Sequence, residues 1–238
     1  MKLRQIRRRA ALTLATLAGI GLAALAGVAC GGSPSGAEAG PGASLGPSYE
    51  GQGTYYSADG TGNCSFDASP GDLLVAAMNE EQYGNAELCG ACVAVQGPRG
   101  EVTVRIVDRC PGCKRGDLDL SPQAFERIAP LSAGRVPVAW RLAPCAVDGP
   151  IAYKYKEGSN PYWIALQVRN HRVAVASLEL RQGERWVPLQ RERYNYFVGG
   201  EGDGPLLVRV TSTTGVTLED ELPAVNPGAV VQGKAQFP

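Results

Sequence analysis

The stretch Asp108-Arg-Cys-Pro-Gly-Cys113, followed by Asp117-Leu-Asp119-Leu-Ser-Pro122, packs three aspartates and a Cys-x-x-Cys into one short segment. It lies directly behind the apolar run 102–107, which reads as a strand. Working backwards, runs 93–96 and 102–107 flank Gly97-Pro-Arg-Gly100, punctuation that predicts a hairpin. Working forwards, Ser121 is a hydroxyl N-cap with Pro122 at the first helical position, which predicts a short helix over 121–128. Residues 136–142 give a last strand. Short strands with one or two brief helices over residues 49–147 indicate a small closed β-barrel.

Beyond the Pro-rich boundary at 144–150, apolar alternation dominates. Ile151, Tyr153 and Tyr155 are followed by Ile164, Leu166 and Val168, then Val173 and Val175, and runs 186–189, 206–210 and 216–222. Six to eight short strands without a helical period argue for a β-sandwich over residues 148–238. The chain is read as all-β, in two domains.

The first thirty residues read as an export signal rather than fold. Lys2, Arg4, Arg7, Arg8 and Arg9 precede an apolar stretch over 10–29 that ends in small residues. Cys30 resembles the lipid-modified cysteine of bacterial lipoproteins, which implies a lipid anchor, although Gly27 stands where a leucine is usual. Residues 31–48 are Gly, Ser, Ala and Pro in the main, too poor in apolar surface to fold, and are expected to be a flexible linker. Without residues 1–30 the chain carries 18 Lys and Arg against 23 Asp and Glu, a net of −5. No basic face is visible, so no nucleic-acid partner is expected, and the same argument weakens retention of polyanionic wall polymers by charge alone.

Six cysteines remain: Cys64, Cys89, Cys92, Cys110, Cys113 and Cys145. The paired Cys-x-x-Cys motifs at 89–92 and 110–113 fall within the spacing of a zinc site. Export to an oxidising compartment favours disulfides instead, and three of them use every cysteine. Sequence alone leaves the pairing open. His171 is the only histidine and is read as a hydrogen-bonded residue at a strand end, which removes Ser-His-Asp and Cys-His catalysis. There is no phosphate loop or His-based metal motif, and neither a metal nor a cofactor is expected.

With Gly53-Thr-Tyr-Tyr56 and Tyr83-Gly-Asn-Ala-Glu-Leu-Cys-Gly-Ala-Cys92, these motifs resemble bacterial expansins across both halves of the chain. The resemblance implies a six-stranded double-psi β-barrel followed by an immunoglobulin-like, polysaccharide-binding sandwich. It also implies the pairs Cys64–Cys89 and Cys92–Cys145, with Cys110–Cys113 left as a local pair. Asp119 matches the proton-donor position of glycoside hydrolases that share the barrel, and Asp108 a second acidic position. Thr54 and Tyr55 match the Thr-Tyr beside these acids. Cys110 departs from the family, since some bacterial expansins carry a groove tyrosine there. Asp117 is left unassigned. The catalytic base of the related hydrolases has no counterpart unless Asp59, one residue off, supplies it.

In the second half, Trp163, Tyr194 and Tyr162 are candidate sugar platforms, because sugar rings stack on flat aromatics. If Ile164, Leu166 and Val168 point inward, Trp163 points outward with Ala165 and Gln167. Tyr162 then faces inward unless Asn160 and Pro161 break the strand. Trp186 and Tyr196 are read as packing residues. The resemblance implies a secreted or lipid-anchored monomer that binds wall polysaccharide (cellulose, xylan or peptidoglycan) and loosens it without cutting. The alternatives are a peptidoglycan lytic transglycosylase of the rare-lipoprotein-A type and a weak endoglucanase using Asp119 and Asp59. A thiol titration of protein lacking Cys30 is expected to find no reactive thiol before reduction; two or more would favour zinc.

Overall fold

The computed structural model describes residues 45–238, so the expected export signal, Cys30 and most of the linker lie outside the described residues. The first half contains β1 (Ser48–Tyr55), β2 (Val75–Asn79), α1 (Glu80–Tyr83), β3 (Cys92–Gly97), β4 (Gly100–Cys110), β5 (Leu118–Leu120), α2 (Pro122–Ile128) and β6 (Val136–Ala143). The six strands close into a barrel in the order β1-β5-β2-β4-β3-β6. Pairs β1–β5 and β2–β4 are parallel and the other neighbours antiparallel, the double-psi arrangement that the resemblance implies. The predicted hairpin is β3–β4, and Ser121 caps α2 by accepting the Ala124 N–H.

Ala76, Met78, Val93, Val95, Ile106, Leu118, Leu120 and Trp140 belong to the buried core of the barrel half. The Trp140 indole donates to the Gly116 carbonyl at 2.8 Å and draws the 111–117 loop against β1. Gly116 sits at φ +88°, where a Cβ would lie 2.0 Å from the Glu50 carbonyl oxygen, so only glycine permits this approach. The six cysteines form Cys64–Cys89, Cys92–Cys145 and Cys110–Cys113, the pairing implied by the resemblance. None is left to hold zinc. Paired thiols belong to an oxidising, extracytoplasmic setting.

The second half contains β7 (Ala152–Tyr155), β8 (Ala165–Arg169), β9 (Val175–Gln182), β10 (Arg185–Pro188), β11 (Gln190–Arg191), β12 (Phe197–Val198), β13 (Leu206–Ser212), β14 (Thr217–Leu222) and β15 (Val230–Gln232). They form two sheets, β10-β9-β13-β14 and β11-β12-β8-β7-β15, around a core that includes Tyr153, Leu166, Leu180, Val208 and Phe237. Tyr153 donates to Asp220 Oδ2 at 2.8 Å, and Asp220 Oδ1 accepts the Lys234 N–H, so this buried carboxylate is satisfied. Tyr196 is buried as expected. Trp186 is not in the core. It is half-buried, between the guanidiniums of Arg181 and Arg209, which stand 5.5 and 4.1 Å from its ring centre.

Strand β8 carries the contact between barrel and sandwich. Ile164, Leu166 and Val168 enter the sandwich core as alternation requires, yet Ala165 and Gln167 on the opposite face are also buried. That face meets the barrel: Gln167 Nε2 donates to the Cys64 carbonyl at 2.8 Å, and Asn195 Nδ2 reaches the same oxygen at 3.2 Å. Asp67 accepts from Lys154 at 2.8 Å and Arg169 at 2.6 Å. The Phe66 ring lies between Arg105 and Arg169. His171 is buried here with Nδ1 3.0 Å from the Val173 carbonyl oxygen, and burial pushes its pKa down to about 4.

This contact is therefore acid-labile. An unfolded histidine protonates near pH 6.5, whereas folded His171 resists until about pH 4, so its contribution is full above 6.5 and declines between those values. The hydrogen bonds from Lys154 and Arg169 hold Asp67 below its ordinary range, adding a further loss at more acid pH. Denaturant midpoints are expected to fall from pH 7 to pH 4.5, and His171→Gln is expected to flatten that slope.

Candidate functional site

The site is a row of side chains across four barrel strands. Thr54 on β1 is in register with Asp119 on β5, Asp119 with Ala77 on β2, and Ala77 with Asp108 on β4. In-register neighbours share a face, so Thr54, Asp119 and Asp108 emerge together, the two carboxylates two strand spacings or about 9.5 Å apart at the backbone. Ala77, buried at 3% exposure, is the residue between them in the register. Asp119 points outward because Leu118 and Leu120 on either side point in.

Asp108 reaches this face through a β-bulge. Ala76 pairs with Ile106 but Ala77 pairs with Asp108, which leaves Val107 as an extra residue in β4. In an unbulged strand Asp108 would share the inward face of Ile106. The extra residue turns it out to the row.

Thr54 Oγ1 donates to Asp119 Oδ1 at 2.6 Å. Burial raises the Asp119 pKa above the ordinary carboxylate value, and the nearby Asp108 charge adds to the rise; the Thr54 bond and Arg135 oppose it. Asp108 is engaged by its surroundings, with Oδ1 accepting the N–H of Asn63 at 2.7 Å and of Arg109 at 2.8 Å. Gly62, at φ +153°, allows that contact, since a Cβ there would sit 2.4 Å from Asp108 Cβ. Asp59 is exposed and accepts from the N–H and hydroxyl of Thr61, bonds that hold its pKa below the usual range. Asp117 accepts the backbone N–H of Gln52 at 2.8 Å and of Lys114 at 3.1 Å, which makes it the pin of its loop.

Tyr56 completes the cluster. It follows Thr54 by two residues, so it shares that face, and its N–H to the Leu120 carbonyl continues the β1–β5 pairing. Its hydroxyl is buried without a hydrogen-bond partner. Burial and the charges of Asp108, Asp119 and Asp59 raise its pKa, keeping the O–H protonated and free to donate. Tyr55 has the opposite parity: it is 39% exposed, and its ring packs 5.0 Å from that of Phe125 on α2. Tyr55, expected beside the acids, stands off this row, whereas Tyr56, Asn63 and Ala77, which the sequence did not single out, lie on or against it. Period-two counting from Thr54 would have found Tyr56.

In the sandwich, Asn160 and Pro161 do break the strand. Asn160 and Trp163 exchange backbone hydrogen bonds around a tight turn, and Tyr162 stands 83% exposed at its tip. Trp163 is half-buried. Tyr194 is half-buried in the turn between β11 and β12, 5.9 Å from Tyr196, with the Lys156 ammonium 5.9 Å from both rings. The Tyr194 turn is bolted to the barrel. The neighbouring Arg193 carbonyl accepts from Asn63 Nδ2 at 2.8 Å and from the Tyr83 hydroxyl, and the Arg193 side chain pairs with Glu80. Asn63 thus touches both Asp108 and the turn that carries Tyr194.

A family model described as "Lytic transglycolase" matches residues 75–140, the barrel segment that holds Ala77, Asp108 and Asp119. Over the longer span, the chain is 35% identical to Expansin-YoaJ of Bacillus subtilis (strain 168) over 201 residues, covering 80% of this chain and 87% of that protein. The chain belongs to the expansin family. Expansin-like protein 3 of Dictyostelium discoideum is 32% identical over 197 residues, covering 77% of this chain and 59% of that one. Among solved structures, a point mutant of the Clavibacter michiganensis expansin in complex with cellohexaose aligns with a TM-score of 0.75 and 33% identity, covering 81% of this chain and 99% of that one. That alignment runs across both the barrel and the sandwich of this chain.

Carboxyl NMR is expected to find Asp119 titrating above the ordinary aspartate range. Thr54→Val should raise it further by removing the bond to the carboxylate, and Asp108→Asn should lower it by removing a like charge.

Proposed function

We propose that this expansin binds cell-wall polysaccharide and loosens it without hydrolysis. Residues 148–238 would hold the chain on Tyr162, Trp163 and Tyr194, while residues 49–147 work it in the groove. The observation that carries the reading is the state of the groove carboxylates. Two-carboxylate hydrolysis needs a proton donor and a free base or nucleophile. Asp119, with its raised pKa, is a competent donor. The other two carboxylates are held by the protein through Oδ1, Asp108 by backbone amides and Asp59 by Thr61, which fixes their direction. We read such a set as one that hydrogen-bonds a glucan rather than one that completes two-carboxylate cleavage.

In this reading Thr54 and Asp119 exchange hydrogen bonds with the hydroxyls of one glucan strand and compete with its lateral contacts to neighbouring strands, while Tyr56, whose hydroxyl is buried, backs the row. The exposed Tyr162 ring joins Trp163 as a stacking surface. The cellohexaose complex of the Clavibacter michiganensis relative supports a β-glucan as the ligand. The protein is proposed to act as an extracytoplasmic monomer, lipid-anchored through Cys30, on cellulose, with xylan and peptidoglycan as the competing polymers. The match of residues 75–140 to the lytic-transglycolase model keeps a lytic reading in view, in which peptidoglycan would be cut and anhydro-muropeptides released.

Asp119→Asn is expected to abolish weakening of a cellulose network while leaving binding intact. A reducing-end assay on cellulose, xylan and peptidoglycan is expected to find no steady product release; release that vanishes in Asp59→Ala would make this a hydrolase. Trp163→Ala should weaken glucan binding several-fold, since stacking on one exposed aromatic is worth roughly 1 kcal/mol.

A further inference from the structure

Beside the Thr54–Asp119 pair lies a recess of about 280 Å³ lined by Gln52, Thr54, Cys113, Lys114, Asp117 and Arg135. Its volume is near the lower end of small-molecule sites, room for one sugar unit rather than an oligosaccharide. Thr54 belongs both to the recess and to the groove row, so a sugar placed here is contiguous with one lying over Asp119.

The recess presents two cations, Lys114 and Arg135, against one carboxylate, Asp117, although the barrel as a whole is acidic. Both Asp117 oxygens already accept backbone N–H groups. Asp119 is drawn toward its neutral form by burial. Lys114 and Arg135 are both exposed, and neither takes part in the ion pairs found among the described residues. Arg105, Arg109, Arg115 and Arg141 are each held by a carboxylate, whereas Arg99 and Arg127, like Lys114 and Arg135, are in none of these pairs; only Lys114 and Arg135 line the recess. Arg135 is close enough for its charge to act on Asp119.

We propose that this recess is a subsite for a carboxylate-bearing sugar, a uronate or a lactyl-substituted amino sugar, with the carboxylate received by Lys114 and Arg135. A neutral glucan offers those two cations only hydroxyls; a carboxylate gives them charge-assisted hydrogen bonds. The net negative charge of the chain without residues 1–30 disfavours densely charged polyanions. The subsite therefore selects an isolated carboxylate on an otherwise neutral backbone. The inference rests on the proposed groove reading and adds the class of decoration that the groove prefers.

Matched ligand pairs test it: a xylo-oligosaccharide with and without one glucuronate branch, and a chito-oligosaccharide against a glycan strand containing N-acetylmuramate. In at least one pair the carboxylated member is expected to bind about five- to tenfold tighter at low salt, with the advantage shrinking as salt rises. The pair that responds identifies the source of the carboxylate. Lys114→Ala should cut the advantage while leaving neutral binding unchanged, Lys114→Ala with Arg135→Ala should remove it, and Arg135→Lys should keep most of it. Equal affinity within both pairs, or an advantage that survives the double variant, overturns the subsite while the groove reading stands. Failure of every member to bind, together with cellohexaose, overturns the groove reading and the subsite with it.

Discussion

The Cys64 carbonyl oxygen is where the two halves of the molecule are joined. It is buried between barrel and sandwich, and a buried carbonyl left unpaired costs roughly 1–3 kcal/mol. Gln167 on β8 and Asn195 before β12 both donate to it. The Cys64–Cys89 disulfide holds this residue to the barrel, so the sandwich docks against a fixed acceptor. One residue earlier, Asn63 turns its N–H to Asp108 and its side chain to the Arg193 carbonyl. A short loop therefore sets the geometry of a groove carboxylate and the position of the Tyr194 turn together. The proposed groove and the proposed binding turn share one frame because one stretch of backbone fixes both.

Within the groove, the balance of burial against hydrogen bonding decides what each carboxylate can do. Asp119 is buried enough that desolvation outweighs the bond from Thr54, so its protonated form persists to higher pH. Asp59, exposed and held by Thr61, stays ionised. Asp108 spends an oxygen on backbone amides, and its charge still helps to keep Tyr56 protonated. The result is a short row of hydrogen-bonding groups, the Thr54 hydroxyl and the Asp119 carboxyl, backed by the buried Tyr56. The role proposed for that row is competition for the hydroxyls of a glucan.

Much of this was legible in the sequence, for identifiable reasons. The β3–β4 hairpin and the α2 cap are written in local residues, Gly97 to Gly100 and Ser121 with Pro122, whose backbone preferences need no distant partner. The inward face of β8 follows from period two alone. The burial of Ala165 and Gln167 does not, because it depends on a surface supplied by the barrel about a hundred residues away. The bulge at Val107 was equally hidden, as an apolar run carries no mark of the point where its parity changes. Strands β11, β12 and β15 are two or three residues long, too short to show any alternation. Tyr56 was in plain view within the Thr-Tyr-Tyr motif, and strand parity separates it from Tyr55.

The account depends most on the fixed join between barrel and sandwich. Pulsed electron spin resonance between labels at Ser132→Cys and Glu184→Cys, both exposed and on opposite halves, measures that join directly. A single narrow distance distribution is expected in the free protein, unchanged by a bound cello-oligosaccharide and broadened when Gln167→Leu and Asn195→Leu strip the Cys64 carbonyl of its donors. A distribution already broad in the unaltered protein, or one indifferent to those two substitutions, would contradict it.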